Sequence, residues 1–115
     1  MSLYADIQKA LSETGVPTYN GKWVQKSAAE VPPAQYLIWQ TTTREDLYND
    51  DALLGYRIDV YVTLYSDIPT EEAIAKVRAA MYELGFAMLE ERNDIEFDNR
   101  TYLVAWTWRT WERIR

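Results

Sequence analysis

The sequence lacks two of the residue types on which protein chemistry most often depends. Its 115 residues include no cysteine and no histidine. Without cysteine the chain can form no disulfide, no thiolate metal site and no cysteine nucleophile. Without histidine it lacks the usual general base near neutral pH and the commonest zinc ligand. Only carboxylate, lysine, tyrosine, serine or threonine chemistry remains, so we expect no catalytic residue, no metal site and no cofactor.

Long apolar runs and basic runs are also missing. No run of about 18 apolar residues occurs, and the first residues lack the pattern of a signal peptide, so we expect no membrane partner. Twelve basic against eighteen acidic side chains give a net charge of −6, which opposes general binding to a phosphate backbone. We interpret Arg109, Arg113 and Arg115 as a solvated end rather than a nucleic-acid arm, and we predict no sequence-specific nucleic-acid binding.

Apolar residues recur at helical spacing in two segments. Leu3, Ile7 and Leu11 are four residues apart, which predicts a short helix that Gly15 ends. A second helix is predicted from Pro69 to residue 84, with acidic residues in its first turn and Gly85 after its end. Its apolar stripe consists of Ile74, Val77, Met81 and Leu84.

Alternating residues predict strands at 56–65 and 101–111. A short run rich in β-forming residues predicts another strand at 36–40, and 86–91 is a further candidate. Residues 41–54 are polar, and we interpret them as a long loop or the tip of a long hairpin. Turns are predicted at Asn20-Gly21, Asn93-Asp94 and Asp98-Asn99. The sequence therefore predicts one α+β domain over residues 1–115, with a mostly antiparallel or mixed β-sheet and two helices packed on one of its faces.

The acidic segment is the first candidate site, with Glu45, Asp46, Asp50 and Asp51. It lacks the alternating ligands and central glycine of a calcium loop, so we interpret it as solvated charge. A carboxylate-dependent enzyme is one hypothesis for the function of these acidic residues. It would require two acidic groups that converge in a cleft, at least one with a strongly raised pKa.

Aromatic residues are the unusual positive feature, because the chain has nine tyrosines and five tryptophans. Tyr61 and Tyr65 are predicted to lie opposite the apolar face of their strand, and Trp106, Trp108 and Trp111 cannot all share one face. The surplus could form a second packed layer, a protein contact surface, or a platform for stacking on sugars or bases. The last possibility keeps a small-ligand or carbohydrate-binding module open as the alternative function.

The order of the elements resembles that of the small tail-completion proteins of long-tailed phages and prophages, which are also called tail-terminator, head–tail joining or minor tail proteins. The N-terminal helix ends in GVP at residues 15–17, and a proline-led strand follows at 33–38. The stretch GYRIDVYVTLYS at 55–66 leads directly into the helix at 71–84, and a strand pair closes the chain. The resemblance covers nearly the full length, and only the tryptophan-rich end at 106–111 is not matched.

The resemblance implies a structural protein rather than an enzyme. Such proteins form homo-oligomeric rings, commonly of six subunits, that complete the tail tube and join it to the head connector. Tail-tube and head-connector proteins would then be the partners, in the host cytoplasm during assembly and afterwards in the virion tail. A ring subunit needs two different complementary surfaces. We expect these surfaces to include Tyr61, Tyr65, Trp111, Asp46 and Leu47.

Overall fold

The computed structural model describes residues 3–21, 33–49, 52–96 and 101–113. These residues form two helices and five strands, and the predicted α+β class is confirmed. In chain order the elements are α1 (Leu3–Ser12), β1 (Thr18–Asn20), β2 (Gln35–Asn49), β3 (Ala52–Ser66), α2 (Glu71–Glu83), β4 (Ala87–Glu96) and β5 (Thr101–Arg113).

The five strands form one mixed sheet in the order β1-β2-β3-β5-β4. β1 pairs with β2 in parallel, and the other three neighbouring pairs are antiparallel. β3 is the central strand, with β2 and β5 on either side. Because side chains alternate along a strand, the even-numbered residues of β3 point to one face of the sheet and the odd-numbered residues to the other.

The core lies between the two helices and the even-numbered face of β3. Cross-strand pairing places Trp39 and Trp106 beside Val62, and it places Trp108 beside Val60, so the apolar residues of three strands meet under the helices. The predicted division of the last strand is confirmed, since Trp106 and Trp108 are buried while Trp111 is exposed. The helices contribute Ile7, Leu11, Ala73, Val77 and Met81 to this core.

Two buried indoles donate hydrogen bonds, one to helix α1 and the other to the edge strand β4. Trp39 Nε1 donates to Gln8 Oε1 of α1 at 2.6 Å. Trp106 Nε1 donates to Glu91 Oε1 of β4, also at 2.6 Å. Much of the tryptophan content is therefore structural, because large rings bury much apolar area when their polar atom finds a partner.

Helix α2 ends as the sequence predicts, at Gly85. This glycine has a φ of +91°, in the left-handed region that favours glycine. Its N–H donates to the Tyr82 carbonyl, and the N–H of Phe86 donates to the Met81 carbonyl. These two bonds form a Schellman motif, which satisfies carbonyl groups at the helix end and turns the chain into β4.

Residues 41–49 and 52–54 belong to the two arms of a long hairpin, so the hairpin alternative is confirmed for the described residues and the loop alternative is wrong. β2 continues to Asn49 and β3 begins at Ala52, with register shifts around Leu47. The sequence of these arms shows no regular apolar alternation, which left the loop and the hairpin as alternatives. Asp50 and Asp51, at the predicted tip, lie outside the described residues.

One predicted turn is a strand instead, and another begins where a strand ends. Asn20 is the last residue of β1, which pairs with β2, and Gly21 after it has a φ of +90°, so the turn at Asn20-Gly21 follows directly on this strand. Asn93-Asp94 lies within β4, where pairing with β5 outweighs the turn preference of the two residues. The predicted turn at Asp98-Asn99 lies outside the described residues.

Candidate interaction surface

The sheet face opposite the helices, here called the outer face, carries the odd-numbered residues of β3 and their cross-strand partners. Tyr65 lies between Tyr36 and Leu103 in one row of this face. At the other end Arg57 lies between Arg44 and Trp111. The outer face therefore has an aromatic end and a basic end.

The aromatic end is a row of three half-buried tyrosines from three neighbouring strands. Tyr36 and Tyr65 stack with ring centroids 5.1 Å apart. Tyr19 meets Tyr36 edge-on at 6.3 Å. Such pairs stabilise a fold by about 0.5–1.5 kcal/mol beyond their buried area. These rings thus hold the short edge strand β1 onto the sheet.

The basic end, here called the arginine corner, consists of Arg44, Arg57, Arg109 and Trp111 around Asp59. Arg109 binds Asp59 with two parallel hydrogen bonds, from Nε to Oδ1 at 2.7 Å and from a terminal nitrogen to Oδ2 at 3.1 Å. Arg57 Nε lies 3.9 Å from Asp59 Oδ2. One carboxylate thus faces three guanidinium groups, so the corner has an excess of positive charge in a chain that is acidic overall.

The ionised form of Asp59 is favoured over the protonated form. The hydrogen bond from Arg109 lowers the pKa of this carboxyl, burial opposes the shift, and the charges of Arg109, Arg57 and Arg44 add to it. Asp59 is only 7% exposed. A buried carboxylate of this kind stays ionised at neutral pH and holds Arg109 in place, rather than exchanging a proton.

A second ion pair lies on the helix side of the sheet and joins α2 to β4. Arg78 donates to Glu91 through both Nε and a terminal nitrogen, and Glu91 also accepts the Trp106 indole N–H. The hydrogen bond from Arg78 is the main cause that lowers the pKa of Glu91, and that from Trp106 lowers it further. Among the described residues, the two carboxyl groups with a shifted pKa are both shifted downwards, which is the opposite of what a carboxylate acid catalyst needs.

A groove of about 650 Å³ lies between α1 and α2, on the far side of the molecule from the arginine corner. Small side chains, Ala10, Ala79 and Ala80, leave room between the helices. Charged residues of both signs also line it, namely Asp6, Lys9, Glu13, Lys76 and Glu83. The ammonium group of Lys76 forms an ion pair of 3.0 Å with Glu72, which does not line the groove. Lys76 therefore neutralises less of the negative charge of Asp6, Glu13 and Glu83.

The structure places three of the five predicted site residues on the outer face. Tyr61 and Trp111 are exposed, at 38% and 49%, and Trp111 belongs to the arginine corner. Tyr65 is half-buried in the tyrosine row. Asp46 and Leu47 belong to the β2 arm of the long hairpin, and their side chains lie outside what the structure describes.

Sequence reasoning missed Arg44, Arg57 and the Asp59–Arg109 pair, and the interpretation of Arg109 as part of a solvated end is wrong, because its side chain binds Asp59. The alternation of β3 correctly placed Arg57 and Asp59 together on the outer face. It carried no information about Arg109, which is 50 residues further along the chain. Only the pairing of β3 with β5 brings these charges together. The signal available in the sequence was local, namely an Arg and an Asp two residues apart on the polar side of a predicted strand.

Other kinds of site find little support. Within residues 3–21, 33–49, 52–96 and 101–113, no group of acidic side chains could hold a metal ion. Neither described helix is long and apolar enough to cross a membrane. Trp106 and Trp108 are buried core residues and do not line the groove. This arrangement does not favour the aromatic binding module.

Comparisons with known proteins give a match in structure but not in sequence. No protein-family model matches the chain, and no curated protein matches it. The fold is similar to that of a chain in the virion of a native gene transfer agent particle, with a TM-score of 0.64. The match covers 98% of this chain and 96% of that chain at 12% sequence identity. The two chains therefore share a fold along nearly their whole length.

Proposed function

We propose that this chain is a structural subunit of a phage-like virion, and that it forms a ring that completes the tail tube and joins it to the head connector. The observation that carries the proposal is the shared fold with a virion chain of a gene transfer agent particle. The element order, which resembles that of tail-completion proteins, supports the finer assignment. The protein would act by contact alone, without a cofactor.

The surfaces of the molecule suit a subunit of a closed ring. A ring forms when one surface of a subunit binds a different surface of the next and the rotation closes. The outer face of the sheet and the helix side differ in shape and in charge. The outer face combines the exposed side chains of Tyr61 and Trp111 with arginines, which are residue types enriched at protein interfaces.

Deletion of the gene in its host is the decisive test. We expect filled heads and tails to accumulate separately, with the tails of irregular length, as seen by electron microscopy of lysates. A plasmid copy of the wild-type gene should restore joined particles. Joined particles of normal tail length in the deletion strain would refute the proposed role.

A further inference from the structure

We propose that the arginine corner of one subunit docks into the groove between α1 and α2 of a second copy, with Trp111 as the inserted side chain. This inference rests on the self-assembly part of the proposed function, and it names the two surfaces that meet. The occupant of the groove is thus another copy of this chain.

Charge complementarity favours this pairing. The corner presents Arg44, Arg57 and Arg109 against the single carboxylate of Asp59. The groove presents three acidic residues, Asp6, Glu13 and Glu83, and one of its two lysines is already paired with Glu72. Opposite net charges on the two surfaces attract copies to each other, although the whole chain has a net charge of −6.

Shape and position favour it as well. Trp111 is 49% exposed on the outer face, and the groove has small alanine side chains where a large ring needs space. Interface hot spots are enriched in Trp, Tyr and Arg, and an aromatic anchor buried in a pocket with a polar rim around it is their usual arrangement. The two surfaces lie on opposite sides of the sheet. One copy can therefore use both at once, so the contact is head-to-tail and can close into a ring.

Two variants test the contact, one on each surface. Trp111→Glu removes the inserted ring and adds a charge that the acidic groove repels. Ala79→Arg fills the groove and repels the arginine corner. Arginine is a good helix former, so the substitution should not disturb α2. Tyr102→Glu changes an exposed aromatic residue of the same strand outside the corner, and Ala75→Arg changes an exposed alanine of α2 outside the groove, so these two serve as controls.

Size-exclusion chromatography with light scattering gives the readout, after circular dichroism has confirmed that each variant folds. We expect the wild type and both controls to form multi-chain assemblies. Each test variant alone should be a monomer, with self-association weakened at least about tenfold. An equimolar mixture of the two test variants should form a dimer of one chain of each kind and nothing larger, because only one intact contact remains between them.

The outcomes separate the inference from the proposed function. Test variants that still assemble like the wild type, or a mixture that stays monomeric, would overturn the docking of Trp111 into the groove and leave ring formation standing. A wild type that is monomeric at all concentrations would overturn both the docking and the homo-oligomeric ring. The deletion experiment would still decide whether the chain acts in the tail, where another virion protein would then occupy the groove.

Discussion

The buried indoles of Trp106 and Trp108 differ in what their N–H groups do. Trp106 donates to the ionised Glu91, which also accepts from Arg78. Trp108 Nε1 is buried without a hydrogen-bond acceptor among the described residues, and its ring meets Tyr82 edge-on at 5.2 Å. Two tryptophans on one strand thus combine similar burial with different polar contacts.

This difference predicts the outcome of a matched pair of substitutions. Trp106→Phe removes a hydrogen bond to a charged acceptor, whereas Trp108→Phe removes a donor that has no acceptor in the described part of the chain. We expect Trp106→Phe to lower the free energy of unfolding by about 1–2 kcal/mol more than Trp108→Phe. Urea denaturation followed by circular dichroism measures both. Equal losses would show that the bond to Glu91 contributes nothing net.

Asp59 predicts how stability depends on pH. Its folded-state pKa lies below the unfolded value, so its contribution is complete above about pH 4 and is lost as pH falls through the folded pKa. We expect Asp59→Asn to lower the free energy of unfolding at pH 7 by about 1–3 kcal/mol, because Arg109 loses its charged partner.

The difference in unfolding free energy between the wild type and Asp59→Asn should become smaller in acid. Between pH 7 and about pH 2.5 the wild type should lose more stability than Asp59→Asn, which has no carboxyl group to protonate at this position. Thr42→Val, a change of an exposed residue in the same cross-strand row, provides the control. A difference that stays constant over this pH range would contradict the assigned role of Asp59.

At the scale of elements, the sequence predicted those segments whose periodicity the core enforces. Ile7 and Leu11 of α1, and Val77 and Met81 of α2, face the same core as the alternating residues of β3. The distal arms of β2 and β3 were predicted only as one of two alternatives, because residues 41–54 show no regular apolar alternation. Short strand β1 escaped prediction because three residues beside a glycine give almost no periodic signal.

The hairpin arms lead to a prediction about which part of the fold is dispensable. Glu45 is paired with Tyr56, so residues 46–55 can be replaced by an Asn-Gly turn between them. The described core residues all lie outside this segment. We expect the shortened chain to fold with a change in unfolding free energy below about 2 kcal/mol, and to assemble less well, because Asp46 and Leu47 are proposed contact residues.

Two measurements on the shortened chain separate these effects. Thermal denaturation reports the fold, and light scattering at increasing concentration reports the assembly. A chain shortened in this way that still forms wild-type assemblies would remove the hairpin from the interface. A chain that fails to fold would show that the arms stabilise the sheet beyond their own pairing.

At the scale of the whole molecule, the Cα radius of gyration is 16.0 Å, and the longest dimension is 55 Å against 29 and 24 Å for the others. A compact chain of this length would have a radius of gyration of about 13 Å. The molecule is therefore elongated along its long strands. Its α+β class followed from the sequence. The arginine corner and the helix groove did not, because they depend on β3 meeting β5 and on α1 meeting α2.

The central strand has a mechanical consequence. β3 runs from Ala52 to Ser66, and it is paired with β2 and with β5 along nearly all of that length. Tension applied along this strand would load the hydrogen bonds of both ladders in shear, so that many bonds share the force and none is opened alone. The sheet would then resist extension along the direction of β3. A force applied to the hairpin would therefore move the helix-covered core together with the sheet, as one rigid unit.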